Sequence, residues 1–158
     1  GIMKITLFFC AGMFAETAGV KTISAMDGLG RRFPLAMTAF TIAALGMIGV
    51  PPIAGFVSKW YLGLGALGAG QGWVIGVLIA STLLNAAYFL PILYRAWFRD
   101  PSEALMASRH PHRLEAPALL LLPCVVTGLL SLVAGVFAEA EWSPLSLARF
   151  VADKEYPP

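Results

Sequence analysis

Between Phe33 and Gly68 a single side chain, Lys59, is charged, and between Trp73 and Tyr94 none is. Stretches like these leave few folds open. Runs of about 18 or more apolar residues read as transmembrane helices, because about 20 residues at 1.5 Å rise cross the hydrocarbon. A water-soluble helix of that length would show a polar face every few residues. The charged fraction agrees, at 13% of 158 residues against roughly 25% in soluble domains. The chain is therefore expected to be all-α, a polytopic transmembrane helical bundle of about four spans, with the lipid bilayer as its surroundings. A formal charge of +2 with no basic stripe gives no reason to expect nucleic acid as a partner.

The first segment, Ile2 to Ala15, is apolar but short of a full crossing, and reads as the end of a span that begins upstream. The chain opens without a methionine, so a fragment of something longer is expected. Lys4 falls within this apolar stretch and no basic region precedes it, which argues against a signal peptide. Thr17 to Arg32 reads as a loop with one amphipathic turn around Val20 to Met26. A helix then starts at Phe33-Pro34, where a proline in the first turn costs no hydrogen bond. It runs to Pro51-Pro52 and resumes near Gly55. Closely spaced glycines place a turn near Ala69 to Gly72. Trp73 to Tyr94 is the clearest span, with Trp73 at one end and Tyr94, Arg95 and Trp97 at the other, as in an interfacial aromatic belt. Residues 1–98 thus form the main transmembrane part and 99–115 a polar loop. Residues 116–138 form a closing transmembrane helix, and 139–158 a tail along the interface that ends polar.

Translocated loops are depleted in lysine and arginine. Lys21, Arg31 and Arg32 lie in the first loop; Arg95, Arg99, Arg109 and Arg113 lie in and before the second; only Arg149 and Lys154 fall on the other side. Seven against two puts both large loops in the cytoplasm.

Proline removes a backbone donor and disfavours helix in the residue before it, so no helix passes unchanged through Pro51-Pro52. All nine carboxylates lie in loops, span ends or the tail, and of the basic residues only Lys4 and Lys59 sit within apolar segments. A charge at bilayer depth costs at least about 2.5–3.5 kcal/mol on insertion scales, which makes such a residue a functional candidate by default. Desolvation also eases proton release from an ammonium, so a buried lysine can serve as a proton carrier. Two readings of Lys59 stand side by side. As an anchor, it would snorkel at the end of a helix with Trp60 and Tyr61 at headgroup level. As an ion-site residue, it would belong to the break, because broken helices are tolerated only inside protein or against a water-filled cavity. The apolar continuation from Leu62 to Leu67 favours the second.

On the span from Trp73, Ser81, Asn85 and Tyr88 share one helix face, with Thr82 beside them. They are candidates either for holding water in a proton path or for hydrogen bonding between helices. Cys10 and Cys124 lie in apolar segments, and His110 and His112 in a polar loop; neither pair has metal-ligand spacing. No nucleotide-binding glycine loop and no nucleophile with a base is present. Neither cofactor nor metal is expected, and no catalytic chemistry of the chain's own.

Two strings carry a resemblance to a known family. Met3-Lys4-Ile5-Thr6-Leu7-Phe8-Phe9 resembles the His-Ala-x-x-Lys-x-x-Leu-Phe segment of the proton-conducting antiporter-like membrane subunits. Gly49-Val50-Pro51-Pro52-Ile53-Ala54-Gly55-Phe56-Val57-Ser58-Lys59 is similar to that family's late discontinuous helix. The family comprises the Mrp-type multisubunit cation/proton antiporters and the related membrane subunits of respiratory complex I and energy-converting hydrogenases. The wording here is nearest to the D-type component of the Mrp antiporters. The resemblance makes residues 1–98 the carboxy-terminal part of the antiporter-like domain, in an integral protein of the bacterial inner membrane. It implies proton transfer through Lys59, at the end of the path, and Lys4, at its centre, with Pro51, Pro52 and Gly55 shaping the break. Partners would be other membrane subunits, protons and Na⁺. The family histidine four residues before Lys4 would precede Gly1. A proton-pumping subunit of a complex I-like or hydrogenase-type oxidoreductase is the alternative, and a second one is a structural membrane subunit that conducts nothing.

Overall fold

The computed structural model describes residues 1–101, 116–138, 140 and 143–155. Among these residues every regular element is helical: α1 (Ile2–Ala18), a 3₁₀ turn (Ile23–Met26), α2 (Leu29–Arg32), α3 (Pro34–Ile48), α4 (Ala54–Gly68), α5 (Trp73–Phe98), α6 (Ala118–Val136) and α7 (Pro144–Glu155). By length and composition α5 and α6 can each cross a membrane, and α3 is a shorter apolar helix. The molecule is an all-α, polytopic membrane bundle with one discontinuous helix.

Three boundaries differ from the sequence reading. α1 continues past Ala15 to Ala18, because Glu16 points outward while Ala18 packs inward. The loop of 17–32 contains the expected turn but also α2, whose Leu29 and Gly30 are buried. α5 runs on past Tyr94 to Phe98, since the polar residues that end its apolar run are themselves engaged. Asp27 lies 3.6 Å from Arg95 and 3.5 Å from Arg99. The N–H of Gly28 donates to the Arg95 carbonyl at 3.1 Å, and the Trp97 indole donates to Thr41 at 3.0 Å. These bonds bring the first loop and the end of α5 to the same end of the bundle. The remainder of the second loop, with His110, His112, Arg109 and Arg113, lies outside the described residues.

The core is built from α1, α3 and α6. Phe14 of α1 is fully buried between Phe33 and Phe40, with ring centroids 6.1 and 6.3 Å away. α6 turns a stripe of small residues inward, Cys124, Gly128, Ser131 and Gly135. Such a stripe lets helix backbones approach closely where lipid offers no hydrophobic force to drive association. Gly128 meets Ala39 of α3, and Gly135 meets the backbone from Pro52 to Ala54. α5 behaves as two halves. Its last turns bury Phe89, Ile92, Leu93 and Ala96 on one stripe, while its first turns bury nothing. The tail is a helix after Ser143, whose hydroxyl accepts from the Ser146 N–H at 3.1 Å as an N-cap.

Candidate functional site

The break is made by its residues in order. α3 stops at Gly49, which takes φ 95°, a left-handed conformation that glycine adopts without a side-chain clash. Its N–H closes back on Leu45 at 2.9 Å. A cis peptide joins Pro51 to Pro52, Ile53 is extended, and α4 begins at Ala54. The chain folds back so tightly that Gly55 lies against the Gly46 carbonyl, with no room for a β-carbon.

The two prolines have a specific consequence for hydrogen bonding. In a continuing α-helix the carbonyls of Met47 and Ile48 would accept from the backbone nitrogens four residues on. Those nitrogens belong to Pro51 and Pro52, which have no hydrogen to give. Lys59 gives it instead. Its ammonium donates to the Ile48 carbonyl at 2.9 Å and to the Met47 carbonyl at 3.4 Å. A third bond goes to the Thr82 hydroxyl of α5 at 2.8 Å. The site thus sets a half-buried cation against the negative end of the α3 dipole, where positive charge is favoured. An apolar cleft of 260 Å³ adjoins it, walled by Phe56, Trp60, Ile75, Ile79 and Thr82. A water occupies about 30 Å³ of liquid, so the cleft has room for several. Lys59 sits in the second turn of α4, and nine residues of that helix follow it.

Lys4 is placed differently. It is exposed on α1 and makes no hydrogen bond or ion pair among the described residues. It lines a 460 Å³ cavity together with Phe8, Lys21, Thr22, Met47 and Tyr88. Met47 is thus shared by the two sites, lining the cavity of Lys4 and offering its carbonyl to Lys59.

The polar stripe of α5 divides. Asn85 donates locally, to the Ser81 carbonyl at 2.8 Å and toward its hydroxyl at 3.5 Å. Tyr88 packs edge-on against Phe89 at 5.0 Å and faces the Lys4 cavity. The residue that reaches Lys59 is Thr82, which lies beside the stripe. Pro51, Pro52 and Gly55 lie at the same break as Lys59. Cys10 and Cys124 are buried free thiols, and no cluster of three metal-ligating side chains occurs among the described residues.

Fold and break together define a polytopic membrane protein built around a discontinuous helix with a lysine on its carbonyls. A profile of the family described as "NADH:quinone oxidoreductase/Mrp antiporter, TM" matches residues 1–93. The chain belongs to this family and is an antiporter-like membrane subunit of the complex I and Mrp type. It is 41% identical to NADH-quinone oxidoreductase subunit N of Desulforudis audaxviator over 145 residues, 87% of this chain and 29% of that protein. It is 30% identical to the D component of the Na(+)/H(+) antiporter of Bacillus subtilis over 138 residues, 87% of this chain and 27% of that protein. The chain thus spans less than a third of the length of either relative. The structure of an Mrp complex from Dietzia sp. DQ12-45-1b has the same fold, with a TM-score of 0.82 and 23% identity over 99% of this chain and 36% of that one.

Proposed function

We propose that this chain is part of a proton-translocating membrane subunit of a multisubunit cation/proton antiporter in the bacterial inner membrane. Protons pass through Lys59 and Lys4 along a hydrated path, exchanging against a cation such as Na⁺. The observation that carries this reading is the ammonium of Lys59 on the two carbonyls that Pro51 and Pro52 leave unpaired, beside a cleft large enough for water. Nine helical residues follow Lys59, so the headgroup-anchor reading loses its main support, the end of a helix at that point. Lys4 and Tyr88 line the neighbouring cavity, which shares Met47, and continue the path. The remainder of a longer subunit completes the path, because the relatives are more than three times as long as the matched region, and other membrane subunits join it, because the relatives are subunits by name.

A second reading has an observation of its own. The 41% identity to a protein named NADH-quinone oxidoreductase subunit N supports a proton-pumping role in a complex I-like oxidoreductase, with the same lysines and a redox partner in place of the exchanged cation. The test uses the full-length subunit in its assembled complex, reconstituted into vesicles. Lys59→Ala should lower proton uptake by about a hundredfold, the scale of losing a positioned acid–base group, with the complex still assembled. Uptake at the wild-type rate would reduce Lys59 to an anchor. Uptake driven by a Na⁺ gradient marks the antiporter, and uptake driven only by NADH and quinone marks the oxidoreductase.

A further inference from the structure

The three partners of Lys59 are not equivalent. The carbonyls of Met47 and Ile48 can only accept hydrogen, whereas the Thr82 hydroxyl can accept or donate. An ammonium has three N–H groups, and here it meets three oxygens, at 2.9, 3.4 and 2.8 Å. A neutral amine keeps two N–H groups and gains a lone pair. The two carbonyls still match the two N–H groups, and the lone pair needs a donor. Among its partners only Thr82 can turn its hydrogen round and supply one.

We infer that Thr82 is a positioning residue for proton exchange at Lys59, keeping all three hydrogen bonds of the side chain satisfied in both protonation states without movement of either helix. This inference rests on the reading of Lys59 as a proton carrier. The surroundings leave the task to Thr82. The cleft walls from α4 and α5 are Phe56, Trp60, Ile75, Leu78, Ile79 and Leu83, none of them titratable. α3 contributes only the carbonyls beside Gly49; the other cleft at the break, which Lys59 does not line, holds Gly135 and Val136 of α6 and one titratable residue, Tyr61 of α4. Lys59 is thus the only titratable group on this cleft among the described residues.

The bond that Thr82 accepts from an ammonium is stronger than the one it donates to an amine, because hydrogen bonds to charged groups are roughly twice as strong. Removing the hydroxyl therefore disfavours the charged form more than the neutral one. Thr82→Val keeps the shape and removes the hydroxyl; Thr82→Ser keeps the hydroxyl and removes a methyl. In the full-length complex in vesicles, Thr82→Val should slow proton uptake on the order of tenfold, the worth of one charge-assisted bond, and move the pH profile of uptake to lower pH. Thr82→Ser should restore both rate and profile. The inference is overturned if Thr82→Val transports like wild type, if its rate falls equally at every pH, or if Thr82→Ser is as impaired as Thr82→Val. Lys59→Ala separates the two levels. Its loss of transport beside a silent Thr82→Val sinks only the role of Thr82, whereas retained transport sinks the carrier reading beneath it.

Discussion

Lys59 and Lys4 are charged residues set within apolar runs, and their surroundings have little in common. Lys59 is half-buried and spends all three of its hydrogens on oxygens from two other elements. Lys4 is exposed, faces a cavity and has no polar partner among the described residues. Sequence position makes them look alike, and the backbone makes them different. A lysine is held in an apolar helix when nearby backbone has carbonyls to fill, and two adjacent prolines leave two of them open. Lys59 thus has a structural task as well as the proposed chemical one, and Lys4 only the latter.

That comparison can be broken in several ways. Transport should fall most, and equally, for Lys59→Ala and Lys4→Ala, each by about a hundredfold; a Lys4→Ala complex with normal uptake would leave Lys59 as the sole carrier. Gly55→Val comes next, because any β-carbon there collides with the Gly46 carbonyl. It should cost at least about 1–3 kcal/mol, the usual range for overpacking, read as loss of assembled complex in the membrane. Lys59→Met and Lys4→Met then distinguish the two lysines by stability. The first leaves the Met47 and Ile48 carbonyls without their donor and should destabilise by about 1–3 kcal/mol, while the second should leave the melting temperature of the complex unchanged. Replacing Pro51 and Pro52 together by alanine returns two backbone donors. In that background the cost of Lys59→Met should shrink, giving a coupling of about 0.5–2 kcal/mol in a double-mutant cycle. The smallest effect belongs to the Arg31–Asp100 pair, 3.0 Å apart with side chains 57% and 92% exposed. Arg31→Ala should not shift the melting temperature measurably, as is usual for solvated ion pairs.

Much of this was legible in the sequence. Uncharged runs required membrane helices, Gly49 to Gly55 required a break, and the segregation of carboxylates singled out the two lysines. That the prolines leave carbonyls for a lysine to fill was legible in principle, since the residues four before Pro51 and Pro52 are Met47 and Ile48. Thr82 was not. Ser81, Asn85 and Tyr88 share a face by helical spacing, but which face of α5 meets α4 is decided by packing, and Thr82 sits one residue round the helix from that stripe. The ends of α1 and α5 were missed for a related reason. An apolar run stops where polar residues begin, whereas a helix continues if those residues find partners, as Arg95 and Arg99 do on Asp27.

The clamp at the end of α5 also has a mechanical side. Asp27, Gly28 and Thr41 grip its last turns and Phe89, Ile92, Leu93 and Ala96 sit in the core, so the helix is held from Phe89 onward and its first turns form a free arm. Thr82 lies seven residues before Phe89, roughly 10 Å out along that arm at 1.5 Å per residue. A tilt of about 6° would carry the Thr82 hydroxyl roughly 1 Å sideways over that arm, enough to open or close its bond to Lys59. A small change of angle where the helix leaves the core is thereby converted into the making or breaking of one contact at the helix break.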